Sequence, residues 1–201
     1  MAILASNDSS LALPGFEHVQ RFHDNERGKL SAKVLPGEYY VTQNDELIST
    51  VLGSCVAACI RDPLTGVGGM NHFMLPGKGV SANTGGAGER SLKYGPNAMR
   101  SLIDTIVRWK GTRESLEVKL FGGAAVMDFD MNQIGDENVA CVRQYAREHR
   151  LNVLAEDLGG DWPRKVVFEP ATGKVWVRRL RRLQTATVAA NDRKYINGTR
   201  G

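Results

Sequence analysis

The sequence predicts an α/β protein with a mixed β-sheet covered by helices. Short runs of strand composition dominate the chain, two amphipathic helical stretches interrupt them, and the composition suits a single packed domain. That composition is 42% hydrophobic and 24% charged in 201 residues, which excludes wholesale disorder, collagen and coiled coil. Cysteine appears three times, an odd, low count that argues against a disulfide framework. No apolar run approaches the roughly 18 residues that a membrane span needs. The start, Met1-Ala-Ile-Leu-Ala5, lacks a basic region ahead of its apolar residues, so no secretory signal is indicated and a cytoplasmic, reduced setting is expected.

Taken in order, residues 1–35 read as an N-terminal extension, partly flexible, without sustained periodicity. The domain is expected over 36–183. Glu38–Thr42 and Glu46–Leu52 have strand composition and are separated by Gln43-Asn-Asp45. Val56–Ile60 and Val67–Leu75 form a second pair around Asp62-Pro-Leu-Thr-Gly66, where Pro and Gly occupy turn positions. Residues 77–90 read as a flexible loop. A helix follows, with Pro96 in its first turn, Met99, Leu102, Ile103, Ile106 and Val107 on one face, and Gly111 at its stop. Leu116–Phe121 is a strand, and 137–149 is a second helix with Val139, Val142 and Ala146 inward. Leu151–Ala155, Lys165–Phe168 and Lys174–Arg179 are strands, the last two joined by the turn Pro170–Gly173. Residues 184–201 are a polar tail. Residues 178–201 carry seven Lys/Arg against the single acid Asp192, a net +6 that leaves −2 for the rest of a chain totalling +4. With only Tyr195 among those basic residues, the stretch reads as a solvated end and not as a nucleic-acid surface.

The chemistry concentrates in Ser49-Thr-Val-Leu-Gly-Ser-Cys55 and Met70-Asn-His-Phe-Met-Leu-Pro76. If the hairpin closes around Pro63-Leu64, Cys55 opposes His72 on one face. Opposed side chains have Cβ atoms about 4.5–5.5 Å apart. An imidazole beside a thiol can take its proton, as in cysteine hydrolases, and a bend at Gly53-Ser54 can turn backbone N–H groups toward a carbonyl oxygen. A hydroxyl at Ser49 or Thr50 can orient the imidazole. The same pairing is equally met by a core cysteine. Cys59 and Cys141 read as core, the spacing of Cys55, Cys59 and His72 is not that of a zinc site, and Gly122-Gly123 reads as a tight turn. His18 and His23 fall in the extension, and His149 near a helix C-terminus.

These residues resemble the CheD family of chemoreceptor glutamine deamidases. The likeness is carried by Leu52-Gly-Ser-Cys-Val56, Asp62, Gly68 and Met70–Pro76, then Lys93-Tyr94, Gly122-Gly-Ala124, Ile134-Gly135 with Asn138, Leu154–Asp157 with Gly159-Gly160, Arg164, and Thr172-Gly-Lys174. It runs from about residue 36 to 181. The resemblance implies an α/β sandwich related to the catalytic domain of cytotoxic necrotising factor toxins. It implies Cys55 as nucleophile, His72 as general base, and an orienting hydroxyl at Ser49, where threonine is usual, with Thr50 the alternative. Glu137 and Leu158 also depart from the usual residues. The implied reaction is hydrolysis of receptor glutamines to glutamate without metal or organic cofactor. The implied partners are the cytoplasmic helices of methyl-accepting chemotaxis receptors and, in some members, the phosphatase CheC. The other reading is a non-catalytic chemotaxis regulator that binds receptors or such a phosphatase.

Overall fold

The computed structural model describes residues 12–77, 91–125, 129–180, 187 and 190. The expected loop over 77–90 therefore lies outside the described residues except for Gly77, and so do residues 1–11 and, apart from Thr187 and Ala190, the tail. The strands are β1 (Arg21–Asp24), β2 (Lys29–Lys33), β3 (Glu38–Thr42), β4 (Leu47–Leu52), β5 (Val56–Arg61), β6 (Gly68–His72), β7 (Glu117–Gly122), β8 (Asn152–Leu158), β9 (Arg164–Glu169) and β10 (Lys174–Arg179). The helices are α1 (Gly95–Arg108) and α2 (Phe129–Glu148), with a 3₁₀ turn at Arg113–Ser115.

Two five-stranded sheets stack on one another. One has the order β1-β2-β4-β9-β10, the other β3-β6-β5-β7-β8. Both are mixed: β2 runs parallel to β4, and β7 parallel to β8. Both helices pack on the second sheet, α1 against β3, β5 and β6, α2 against β5, β7 and β8. That sheet is thus covered on both faces, which explains why Val56-Ala-Ala-Cys-Ile60 is apolar without alternation. The expected sandwich flanked by helices is the fold. Its core joins Ile48, Leu52, Val166 and Phe168 of one sheet to Tyr40, Cys59 and Met70 of the other.

Three local expectations change. First, the fold begins well before residue 36. β1 and β2 form a hairpin closed by Gly28 N–H donating to Asp24 O at 2.7 Å, and Leu13, Phe16 and Val19 are buried in the core. Arg21 and Glu46, each 3% exposed, lie 3.6 Å apart. Between them the Tyr40 hydroxyl accepts from Arg21 and donates to Glu46, both at 2.8 Å. A four-residue strand such as β1 shows little periodicity, and its anchor is polar, so an apolar pattern does not reveal it. Second, α2 begins at Phe129 and not near 137. Third, the β5–β6 turn is longer than a two-residue loop. Asp62 N–H donates to Val67 O, Gly66 N–H donates to Asp62 O, and Gly66 takes φ +75. Pro63–Gly66 is therefore a four-residue loop, and the strands pair Cys59 with Met70 and Arg61 with Gly68. The register has moved by two residues, not one. Side-chain parity has period two, so the face shared by residues 55 and 72 survives the correction.

Candidate active site

The chain leaves the first sheet at Leu52 and enters the second at Val56, so Gly53–Cys55 is the crossing between layers. Continuing the observed register, Met74 and not His72 stands opposite Cys55; the isolated bridge Val56↔Phe73 fixes this. Cys55 and His72 are diagonal neighbours on the face turned to the first sheet, a spacing with Cβ atoms somewhat under about 7–8 Å apart. The crossing is tied through its carbonyls. Ala124 N–H donates to Gly53 O at 2.8 Å and Gly123 N–H to Cys55 O at 2.7 Å. The Asn138 side-chain amide donates to Ser54 O at 3.0 Å.

Gly122-Gly123 is therefore more than a turn: it docks on the crossing. Gly122 has φ +114, and a Cβ there would lie 2.2 Å from Cys55 O. The approach requires glycine twice over, for its dihedral and for its lack of a side chain. Gly159 N–H donates to Gly122 O, and Ala125 N–H to Gly160 O. Arg164, 2% exposed, holds that second loop by donating to Asp157 Oδ1 at 2.9 Å and to the carbonyls of Asp157 and Gly159.

His72 ends β6 and faces Thr50 of β4, with His72 Nδ1 and Thr50 Oγ1 2.8 Å apart. The Thr50 hydroxyl has one proton, and it also lies 2.8 Å from Val34 O, which can only accept. The hydroxyl therefore donates to Val34 O and accepts from Nδ1–H. This fixes the tautomer: the proton sits on Nδ1, and Nε2 keeps a bare lone pair. Nε2 is buried with no hydrogen-bond partner, the state a general base needs before a proton reaches it. Burial drives the imidazole down to about 4, against a smaller upward pull from the Val34 carbonyl. The resting imidazole is thus neutral at physiological pH.

Of the two hydroxyls weighed for orienting His72, the structure brings Thr50 to the ring and not Ser49. Alternation along β4 explains this. Ile48, Thr50 and Leu52 pair with Phe168, Val166 and Arg164 on the inner face, whereas Ser49 faces the outer side. There Ser49 Oγ meets Ser31 Oγ at 3.2 Å and Ala32 O at 3.4 Å. Cys59 is fully buried and its thiol is pushed far up by burial. Burial also pushes Cys141 up, to about 11, and its thiol donates to Pro76 O at 2.9 Å. His149 stacks on Tyr145 with ring centroids 4.1 Å apart. Among the described residues no cluster of three or more His, Cys, Asp or Glu is arranged to hold a metal ion. Cys55 is 0% exposed and His72 1%. Sequence reasoning missed the roles of Val34 and Asn138. Val34 acts through a backbone carbonyl, which leaves no sequence signal.

Comparison with known proteins adds the family. A family described as CheD chemotactic sensory transduction matches residues 74–179. Three relatives are each described as probable chemoreceptor glutamine deamidase CheD. That of Hahella chejuensis is 45% identical over 191 residues, covering 93% of this chain and 88% of its own. That of Halorhodospira halophila is 43% identical over 187 residues, covering 92% and 86%. That of Methylobacillus flagellatus is 46% identical over 166 residues, covering 82% and 81%. The broadest of these likenesses spans both the crossing at Cys55 and the strand ending at His72, which precede the family match. The chain belongs to the CheD family.

Proposed function

We propose that this protein is a glutamine deamidase of chemoreceptors, converting side-chain carboxamides to carboxylates with Cys55 as nucleophile and His72 as base. The observation that carries the reading is the Val34–Thr50–His72 chain, which leaves Nε2 bare and unpartnered on the face shared with Cys55. The relatives' description as chemoreceptor glutamine deamidases supplies the substrate class. No described helix is long and apolar enough to cross a membrane, in keeping with action on the cytoplasmic helices of receptors.

The steps follow from the groups present. Sγ attacks the glutamine Cδ as its proton passes to His72 Nε2, and a C–S bond forms. The oxygen takes the negative charge and accepts from backbone N–H groups at Gly53–Cys55. One such donor is typically worth about 2.7–4 kcal/mol. The imidazolium is stabilised through Nδ1–H by Thr50 and Val34. It then gives its proton to the leaving nitrogen, the C–N bond breaks, and ammonia departs. Water, giving a proton to Nε2, attacks the thioester; the C–S bond breaks, the imidazolium returns its proton to Sγ, and the product leaves as glutamate, its carboxyl proton passing to solvent. Thiol, imidazole and amides carry every step. The test is mass spectrometry of receptor cytoplasmic fragments incubated with the protein. Conversion of particular glutamines to glutamate is expected. Fragments left unchanged by folded protein would overturn the reading in favour of a regulator that only binds.

A further inference from the structure

We propose that Asn138 is a positioning residue that sets the plane of the Ser54–Cys55 peptide and so aims the Cys55 N–H at the developing oxyanion. The inference rests on the deamidase reading and adds to it a group far along the chain, on α2. Asn138 is 0% exposed. Its amide nitrogen donates to Ser54 O at 3.0 Å and to Met74 O at 2.9 Å. Two carbonyls can only accept, so the amide orientation is dictated by its neighbours.

A trans peptide is planar, with its C=O and N–H directed oppositely, and the chain has no cis peptide bonds. Holding Ser54 O toward α2 therefore directs the Cys55 N–H away from α2. In serine proteases of the chymotrypsin kind the nucleophile's own N–H is one of the oxyanion donors. The neighbouring carbonyls are fixed by backbone amides, Gly53 O by Ala124 and Cys55 O by Gly123. At Ser54 the anchor from α2 is a side chain, so one substitution on α2 removes that bond.

The rest of the site does not depend on that side chain. Val56 and Phe73 exchange both backbone bonds at 3.0 Å, and Thr50 holds the ring. Both of these ties are made by groups other than Asn138. The remaining oxygen, Asn138 Oδ1, is buried without a partner, which is costly for stability alone. A residue kept only for packing would be apolar here, and the amide is explained by what its two donors hold.

The test compares two reactions of Cys55 in the full-length protein carrying Asn138→Leu. Ammonia release from a receptor cytoplasmic fragment needs the oxyanion donor; alkylation by iodoacetamide displaces iodide and forms no oxyanion. The expected result is a fall in kcat on the order of 10²-fold, with KM and the rate of Cys55 alkylation, read by peptide mapping, changed by less than about threefold. Equal losses in both reactions, or kcat within about threefold of the parent, would overturn the proposal. If Asn138→Leu does not fold, Asn138→Asp, of similar size but without the two donors, is read the same way. Failure of both to fold overturns it by making the residue structural. A parent protein that releases no ammonia would instead remove the deamidase reading, whatever Asn138 does.

Discussion

Thr50→Val separates the two hydroxyls that stand side by side on β4. Valine matches threonine in shape and suits a strand, so the change deletes a hydroxyl and little else. It leaves His72 Nδ1–H without its 2.8 Å acceptor and Val34 O without its 2.8 Å donor. Each orphaned buried group costs about 1–3 kcal/mol of stability, so for the two together urea unfolding should read a loss of about 2–6 kcal/mol. The catalytic effect is separate, because in the proposed mechanism the ring becomes cationic only as the thiol proton arrives. A hydrogen bond to a charged group is worth about 1.5–3 kcal/mol, which corresponds to roughly 10- to 150-fold in kcat at about 1.4 kcal/mol per tenfold. The assay is ammonia release from a receptor fragment, with Ser49→Ala as the partner variant. The Ser49 hydroxyl bonds to Ser31 and to Ala32 O on the far face, so its loss should change kcat by less than about threefold. The reasoning fails if Thr50→Val keeps full activity while Ser49→Ala loses it.

The remaining predictions concern protonation, the glycine contact and the N-terminal hairpin. Nitrogen NMR of His72 should find the proton on Nδ1 and no ring titration near the usual value of about 6.5; protonation should begin only as pH falls toward about 4. Because the unfolded histidine takes up its proton first, the contribution of this ring to stability is whole above about pH 6.5 and declines as pH falls from there toward 4. A transition at or above 6.5 would contradict the burial argument. Gly122→Ala would set a Cβ against Cys55 O at a left-handed dihedral; calorimetry should show a loss of about 1–3 kcal/mol, and kcat should fall as the crossing shifts. An unchanged enzyme would mean that the glycine loop does not hold the nucleophile. Arg21→Ala should cost about 3–5 kcal/mol by leaving Glu46 buried without its partner. A change below about 1 kcal/mol would restore the view of this stretch as an appendage.

The layers were legible because they depend on composition and turn chemistry, and the face shared by residues 55 and 72 because it depends on parity. The β5–β6 pairing shows the limit. Pro63 and Gly66 signalled the turn but not its length, and the strands closed two residues away from the simplest register. An even slip keeps Cys55 and His72 on one face, so the functional inference outlived the geometric error. Ser49 and Thr50 were not separable by pattern. Leu47 and Val51 flank one as Ile48 and Leu52 flank the other, and both sets read as apolar. Only the neighbouring β2, which leads into Val34, and the facing sheet, which brings His72, distinguish them. β1 stayed hidden for a different reason. Its anchor is the Arg21–Tyr40–Glu46 cluster, and polar contacts between distant segments have no local period. The Asn138 contact likewise joins residues 84 positions apart, beyond the reach of any local pattern.

The most direct measurement is ammonia release from a receptor fragment by the parent protein and by Cys55→Ala, with circular dichroism to establish that both are folded. The account predicts steady release by the parent and loss of at least about 10³-fold in the variant. Comparable release by a folded Cys55→Ala protein would contradict it, because the proposed thioester cannot form without the Cys55 sulfur.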